Sequence, residues 1–126
     1  MLNVRKTDVE KYLSDVYEAI NAGRYQIASR QENQGIYMDY VFTEADAKRV
    51  ILSLTAEDFS DAVQNNHPQH PEEILYIFGK NVKLLPRYGG AEEMVSLYIK
   101  FNKLVNQYLI VISFHKQKYP LSYKFK

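Results

Sequence analysis

Val95-Ser96-Leu97-Tyr98-Ile99-Lys100-Phe101 alternates apolar and polar side chains. Tyr108-Leu109-Ile110-Val111-Ile112-Ser113-Phe114 follows it with the same β-branched and aromatic character. Runs of this kind predict strands, and the Asn102–Gln107 interval between them predicts a hairpin. With Phe101 opposite Tyr108, Ile99 meets Ile110, Leu97 meets Ile112 and Val95 meets Phe114. All four pairs are apolar, which defines the face turned to the core. The other face then carries Ser96, Tyr98 and Lys100 from one strand, and Leu109, Val111, Ser113 and His115 from its neighbour. Such a face serves as the wet side of a one-sided sheet or as a reactive surface. In this register His115 falls opposite Met94, ~13 Å along the strand from the position facing Tyr98 at ~3.3 Å per residue.

Outward from the hairpin, the N-terminal half reads as helical. Thr7-Asp8-Val9-Glu10 fits a capping box, and Val9, Tyr12, Leu13, Val16, Tyr17 and Ile20 form one helical stripe that Gly23 ends. Tyr25–Ala28 alternates as a short strand would, and Arg30–Gly35 reads as a loop. Thr43 can cap a second helix whose apolar positions are Ala47, Val50, Ile51 and Leu54. Glu57–Gln64 fits a short helix or a strand, and Asn65–Glu72, with two prolines, is a loop. Ile74–Phe78 is strand-like, with a bulge or turn at Gly79-Lys80-Asn81 before Val82-Lys83-Leu84. The expected fold is α+β, a single domain over residues 1–126, with two N-terminal helices packed on a twisted antiparallel sheet.

Composition narrows the function classes. Of 126 residues, 46% are apolar and 25% charged, and none is cysteine, which excludes disulfides and thiolate chemistry. No apolar run approaches a membrane span, and Met1–Lys6 leads into Thr7 without an apolar stretch. A cytoplasmic protein without a secretory signal or membrane partner is therefore expected. The net charge of +1 conceals a division. Residues 1–79 hold seven Lys/Arg against thirteen Asp/Glu, whereas residues 80–126 hold nine against two. A basic half is a cue for an anionic partner such as RNA and equally suits a solvated sheet face, while a few of the eleven tyrosines could stack on bases.

No phosphate-cradling glycine loop and no nucleophile elbow occurs, so no nucleotide cofactor or triad hydrolase is expected. His67-Pro68-Gln69-His70 has metal-ligand spacing, but in a proline-rich segment it reads better as a mobile loop, and no metal is expected. His115 is the better candidate for chemistry, since imidazole accepts and returns protons near neutrality. Tyr98, Lys100, His115 and Lys116 together offer the parts of metal-free RNA cleavage, in which cations stabilise the charge building on the phosphate.

In order, Tyr12–Gly23, Val50-Ile51-Leu52-Ser53-Leu54-Thr55-Ala56-Glu57-Asp58-Phe59, Ser96–Phe101 and Leu109–Lys116 resemble the MqsR-type toxins. These are mRNA interferases of bacterial toxin–antitoxin modules with a RelE-like fold. The resemblance spans most of residues 9–116. It implies an endoribonuclease that needs no cofactor, with RNA as substrate and a cognate antitoxin as partner. On that resemblance Tyr98 is the family's strand tyrosine and His115 stands where the family has lysine. His115 is then the general acid or base, Tyr98 orients or donates a proton, and Lys80, Lys100, Lys116 and Lys118 bind RNA. Asp61 replaces a family lysine, and Tyr76 is nearest by spacing to a family glutamine. The extension Gln117–Lys126 is either an edge strand or tail packed on the sheet, or a contact for RNA or antitoxin. A non-catalytic RNA- or protein-binding module on the same scaffold is the alternative.

Overall fold

The computed structural model describes residues 2–126. The first helix, α1 (Lys6–Ala22), buries Val9, Tyr12, Leu13, Val16 and Ile20 of the expected stripe, together with Ala19, while Tyr17 is only half-buried. Its N-terminal device differs from the expected Thr7 box. The Asp8 carboxylate accepts the Arg5 backbone N–H at 2.9 Å, so the helix starts at Lys6. Gly23 ends it in the left-handed region at φ 75°, as expected. Strand β1 (Tyr25–Ile27) follows.

Residues 31–39, expected within and beyond a loop, form helix α2 (Gln31–Asp39). The sequence gives no stripe here because only Asn33 and Ile36 are buried, and Gly35 costs about 1 kcal/mol relative to alanine. Tertiary contacts supply what propensity does not. Helix α3 (Glu44–Leu52) is the capped helix expected from Thr43, whose hydroxyl accepts the Asp46 N–H at 3.3 Å. A single 3₁₀ turn at Ala56–Asp58 leads into β2 (Phe59–Gln64), which resolves the ambiguous segment.

The remaining strands are β3 (Ile74–Leu84), β4 (Glu93–Lys103) and β5 (Leu109–Lys116). Gly79-Lys80-Asn81 is continuous strand rather than a turn. The sheet order is β1-β5-β4-β3-β2. Strands β2 to β5 form an antiparallel meander, but β1 pairs parallel with β5, so the sheet is mixed. The fold class is α+β, as expected, with a third helix beyond the two anticipated.

The β4–β5 register is the main correction. Tyr98 lies opposite His115, Ile99 opposite Phe114 and Lys100 opposite Ser113, four positions from the expected alignment. Phe101 then pairs with Val111, so Ile112 is an extra residue, a β-bulge. One inserted residue inverts the alternation. Leu109 and Val111 thus enter the core before the bulge and Phe114 after it, while Ser113 and His115 share the outer side with Lys100 and Tyr98. Period-two reading assumes no bulge, so it assigned Leu109 and Val111 to the outer face and Ile110 and Ile112 to the core.

Asn33 repairs the backbone at this irregularity. Its amide donates to Ala28 O at 2.9 Å and Ile112 O at 3.0 Å, and its carbonyl accepts the Phe114 N–H at 2.9 Å. At 1% exposure it has little access to water, so these bonds are not replaceable by solvent. Asn33→Ala is expected to cost about 3 kcal/mol by leaving buried backbone groups unpaired, measured by urea unfolding. Alkaline pH is expected to destabilise the fold as well. Burial, then the bond to Glu44, raises Tyr25 to about 12. Burial likewise holds Tyr12 well above its usual value. Both are protonated when folded, so their contribution is complete below the ordinary tyrosine pKa of ~10. For Tyr25 it is lost as pH rises through about 12, which a pH series of thermal melts will register.

Candidate functional site

On the outer face, β3, β4 and β5 place Gly79, Tyr98 and His115 in one cross-strand row. The Tyr98 and His115 rings stack with centroids 5.2 Å apart and planes 14° from parallel. The next row pairs Lys100 with Ser113. Arg30, at the start of α2, reaches over this row and donates to Ser113 Oγ at 3.1 Å, with a longer contact to Ile112 O at 3.4 Å. Glu32 joins Arg30 at 2.9 Å and Lys118 at 2.7 Å, and its carboxylate lies 3.9 Å from His115 Nε2. Tyr119, Pro120 and Leu121 complete the wall of a cleft of about 300 Å³.

The ring nitrogens of His115 have different surroundings. Nδ1 lies 2.7 Å from the Lys116 carbonyl, which only accepts, so in the neutral ring Nδ1 carries the hydrogen. Nε2 is then the basic nitrogen, on the side of the Glu32 carboxylate. The side chain is 12% exposed, and it borders both this cleft and a second hollow against α2 beside Tyr40 and Lys116. Burial raises the Tyr98 pKa, keeping the phenol protonated at neutral pH. Burial and then the Arg30 charge lower that of Lys100. The cleft therefore combines an imidazole base, a neutral phenol and three cationic side chains, one carboxylate offsetting part of their charge.

No family model matches the chain, and no curated protein matches it. The MqsR-type resemblance accordingly rests on the quoted motifs alone.

Of the candidates named from sequence, Tyr98, Lys100, His115 and Lys118 come together here. Lys80 does not. It pairs with Leu97, a core-facing residue, and its ammonium lies 3.2 Å from Asp58. Lys116 also lies toward the helices, over the Tyr40 ring at 5.1 Å, and the Tyr40 hydroxyl raises its pKa. Tyr76 stacks on Tyr12 at 3.8 Å, on the helix side, and so cannot substitute in the cleft for the family glutamine. Sequence reading missed Arg30 and Glu32 because they precede and open a helix without an apolar stripe.

The tail after β5 is held on the sheet, in agreement with the packed-tail reading. Gln117 Nε2 donates to Leu97 O at 3.0 Å, Lys124 N–H to Phe59 O at 3.1 Å, and Phe125 packs on Phe59 with ring centroids 5.8 Å apart. Gly79 provides the seat, since a methyl group there would meet the tips of Tyr123, Leu121 and Gln117. Gly79→Ala is expected to loosen this tail while sparing the sheet, because the colliding atoms are ends of movable side chains. Limited proteolysis should then cleave residues 117–126 faster, with little change in far-UV circular dichroism.

Proposed function

We propose that this cleft binds an RNA phosphodiester and cleaves it without metal. The observation that carries the reading is the Tyr98–His115 stack, with Nδ1 against the Lys116 carbonyl, Nε2 facing the cleft and cations arranged around it. His115 Nε2 removes the proton from a ribose 2′-OH, and the 2′-oxygen attacks phosphorus. The bond from phosphorus to the 5′-oxygen breaks, and the Tyr98 hydroxyl gives that oxygen its proton. The products are a 2′,3′-cyclic phosphate and a 5′-hydroxyl. Arg30, Lys100 and Lys118 hold the phosphate and oppose the charge that grows on it.

With the motif order, this chemistry supports reading the domain as a RelE-like, MqsR-type mRNA interferase of the cytoplasm, neutralised by a cognate antitoxin. The outer face departs from that family at Asp61, and at the family glutamine, for which Tyr76 offers no equivalent in the cleft. His115 takes the place of the family's lysine. A non-catalytic RNA- or protein-binding module is the second reading. It is favoured by Glu32, which already occupies Arg30 and Lys118.

Purified protein incubated with a defined mRNA in EDTA is expected to give discrete fragments ending in 2′,3′-cyclic phosphate. His115→Ala and Tyr98→Phe should each slow cleavage by about 10²–10⁴-fold, the range of general acid–base catalysis. If both variants cleave and arrest growth like the parent, these roles are wrong. Salt-sensitive RNA binding without products would establish the second reading instead.

A further inference from the structure

The β2–β3 connection, residues 65–73, lines no part of the cleft, yet it gathers side chains of another chemistry. His70 Nδ1 lies 3.9 Å from Glu72 Oε2 and 3.9 Å from Glu73 Oε2, and the three ligand atoms all fall within 4.8 Å of one another. Donors at ~2.1 Å from a tetrahedral zinc sit ~3.4 Å apart, so a small contraction closes this set on an ion. The His67 ring stands 5.4 Å from that of His70, and two imidazoles on one tetrahedral zinc place their centres ~5 Å apart. His67 Nδ1 accepts the Gln69 N–H at 3.1 Å, a single exposed bond that it can exchange for a metal.

Glu73 is oriented from behind. Its Oε1 accepts from Asn102 Nδ2 at 2.9 Å and Asn65 Nδ2 at 3.0 Å, leaving Oε2 beside His70. Asn102 is 5% exposed and belongs to β4, so the carboxylate is anchored to the sheet rather than to the loop alone. Hydrogen-bonded support of this kind fixes metal ligands. The loop is also tied by Asn65 N–H to Glu73 O at 2.8 Å and His70 N–H to His67 O at 3.0 Å.

We propose that His67, His70, Glu72 and Glu73 form a zinc site clipping the β2–β3 loop to β4. Two imidazoles and two carboxylates suit zinc better than magnesium, which prefers oxygen ligands and retains its water. The role is structural and separate from the cleft, so cleavage in EDTA neither supports nor opposes it.

The test is calorimetric titration of the full, tag-free chain with zinc chloride. One zinc per chain at micromolar affinity is expected, with His70→Ala weakening it at least about 30-fold through loss of a nitrogen ligand. Zinc should raise the melting temperature of the parent and leave that of His70→Ala unchanged. Glu73→Gln keeps the Asn102 contact in a neutral form and should also lose zinc. Absence of binding up to about 1 mM zinc, or parental affinity in a folded His70→Ala, would overturn the site.

Discussion

The outer face of this protein depends on one extra residue in β5. Ile112 breaks the alternation between Val111, which packs in the core, and Ser113, which lies opposite Lys100 on the outer side. Without it, the register that buries Leu109 and Val111 would turn Ser113 and His115 inward. A bulge leaves backbone groups without ladder partners, and Asn33 of α2 supplies them with both donor and acceptor. The helix that repairs the strand also begins beside Arg30 and carries Glu32. Closing the bulge and building the cleft wall are therefore one structural event.

Charge in the folded molecule is less divided than in the chain. Lys80 meets Asp58, Lys103 meets Asp15 and Lys118 meets Glu32, so acids of the first half neutralise lysines of the second. Lys103–Asp15 fastens β4 to α1, and Lys80–Asp58 fastens β3 to the turn before β2. In the cleft, Glu32 sits between Arg30 and Lys118, with Lys100 and His115 alongside. An anionic ligand there must compete with Glu32 for Arg30 and Lys118, which favours ligands that also engage Lys100 and His115.

The tail gives the cleft its remaining wall. Residues 117–126 begin on the hydrogen-bonding edge of Leu97, cover Gly79 and reach Phe59 at the far strand, β2. Gly79 permits this because every other residue would place a Cβ where the tail side chains lie. The glycine therefore lies on the outer side of a long strand yet is buried beneath the tail.

Much of the fold was legible locally. The α1 stripe, its Gly23 terminus, the Thr43 cap and the strand character of 95–101 and 109–114 are set by neighbouring residues, whose spacing matches helix or strand periods. Tyr98, Lys100 and His115 could likewise be picked as chemically capable side chains. What the sequence concealed were features settled by distant partners. Helix α2 is held by β5 rather than by an apolar period, and Lys80 and Lys116 turn toward the helices. The Tyr98–His115 pairing required a bulge that no turn signal announces. Local periodicity determines which side chains can share a face of one element; distant partners, the strand ladders and bonds such as that of Asn33 across 81 positions to Phe114, decide which faces meet.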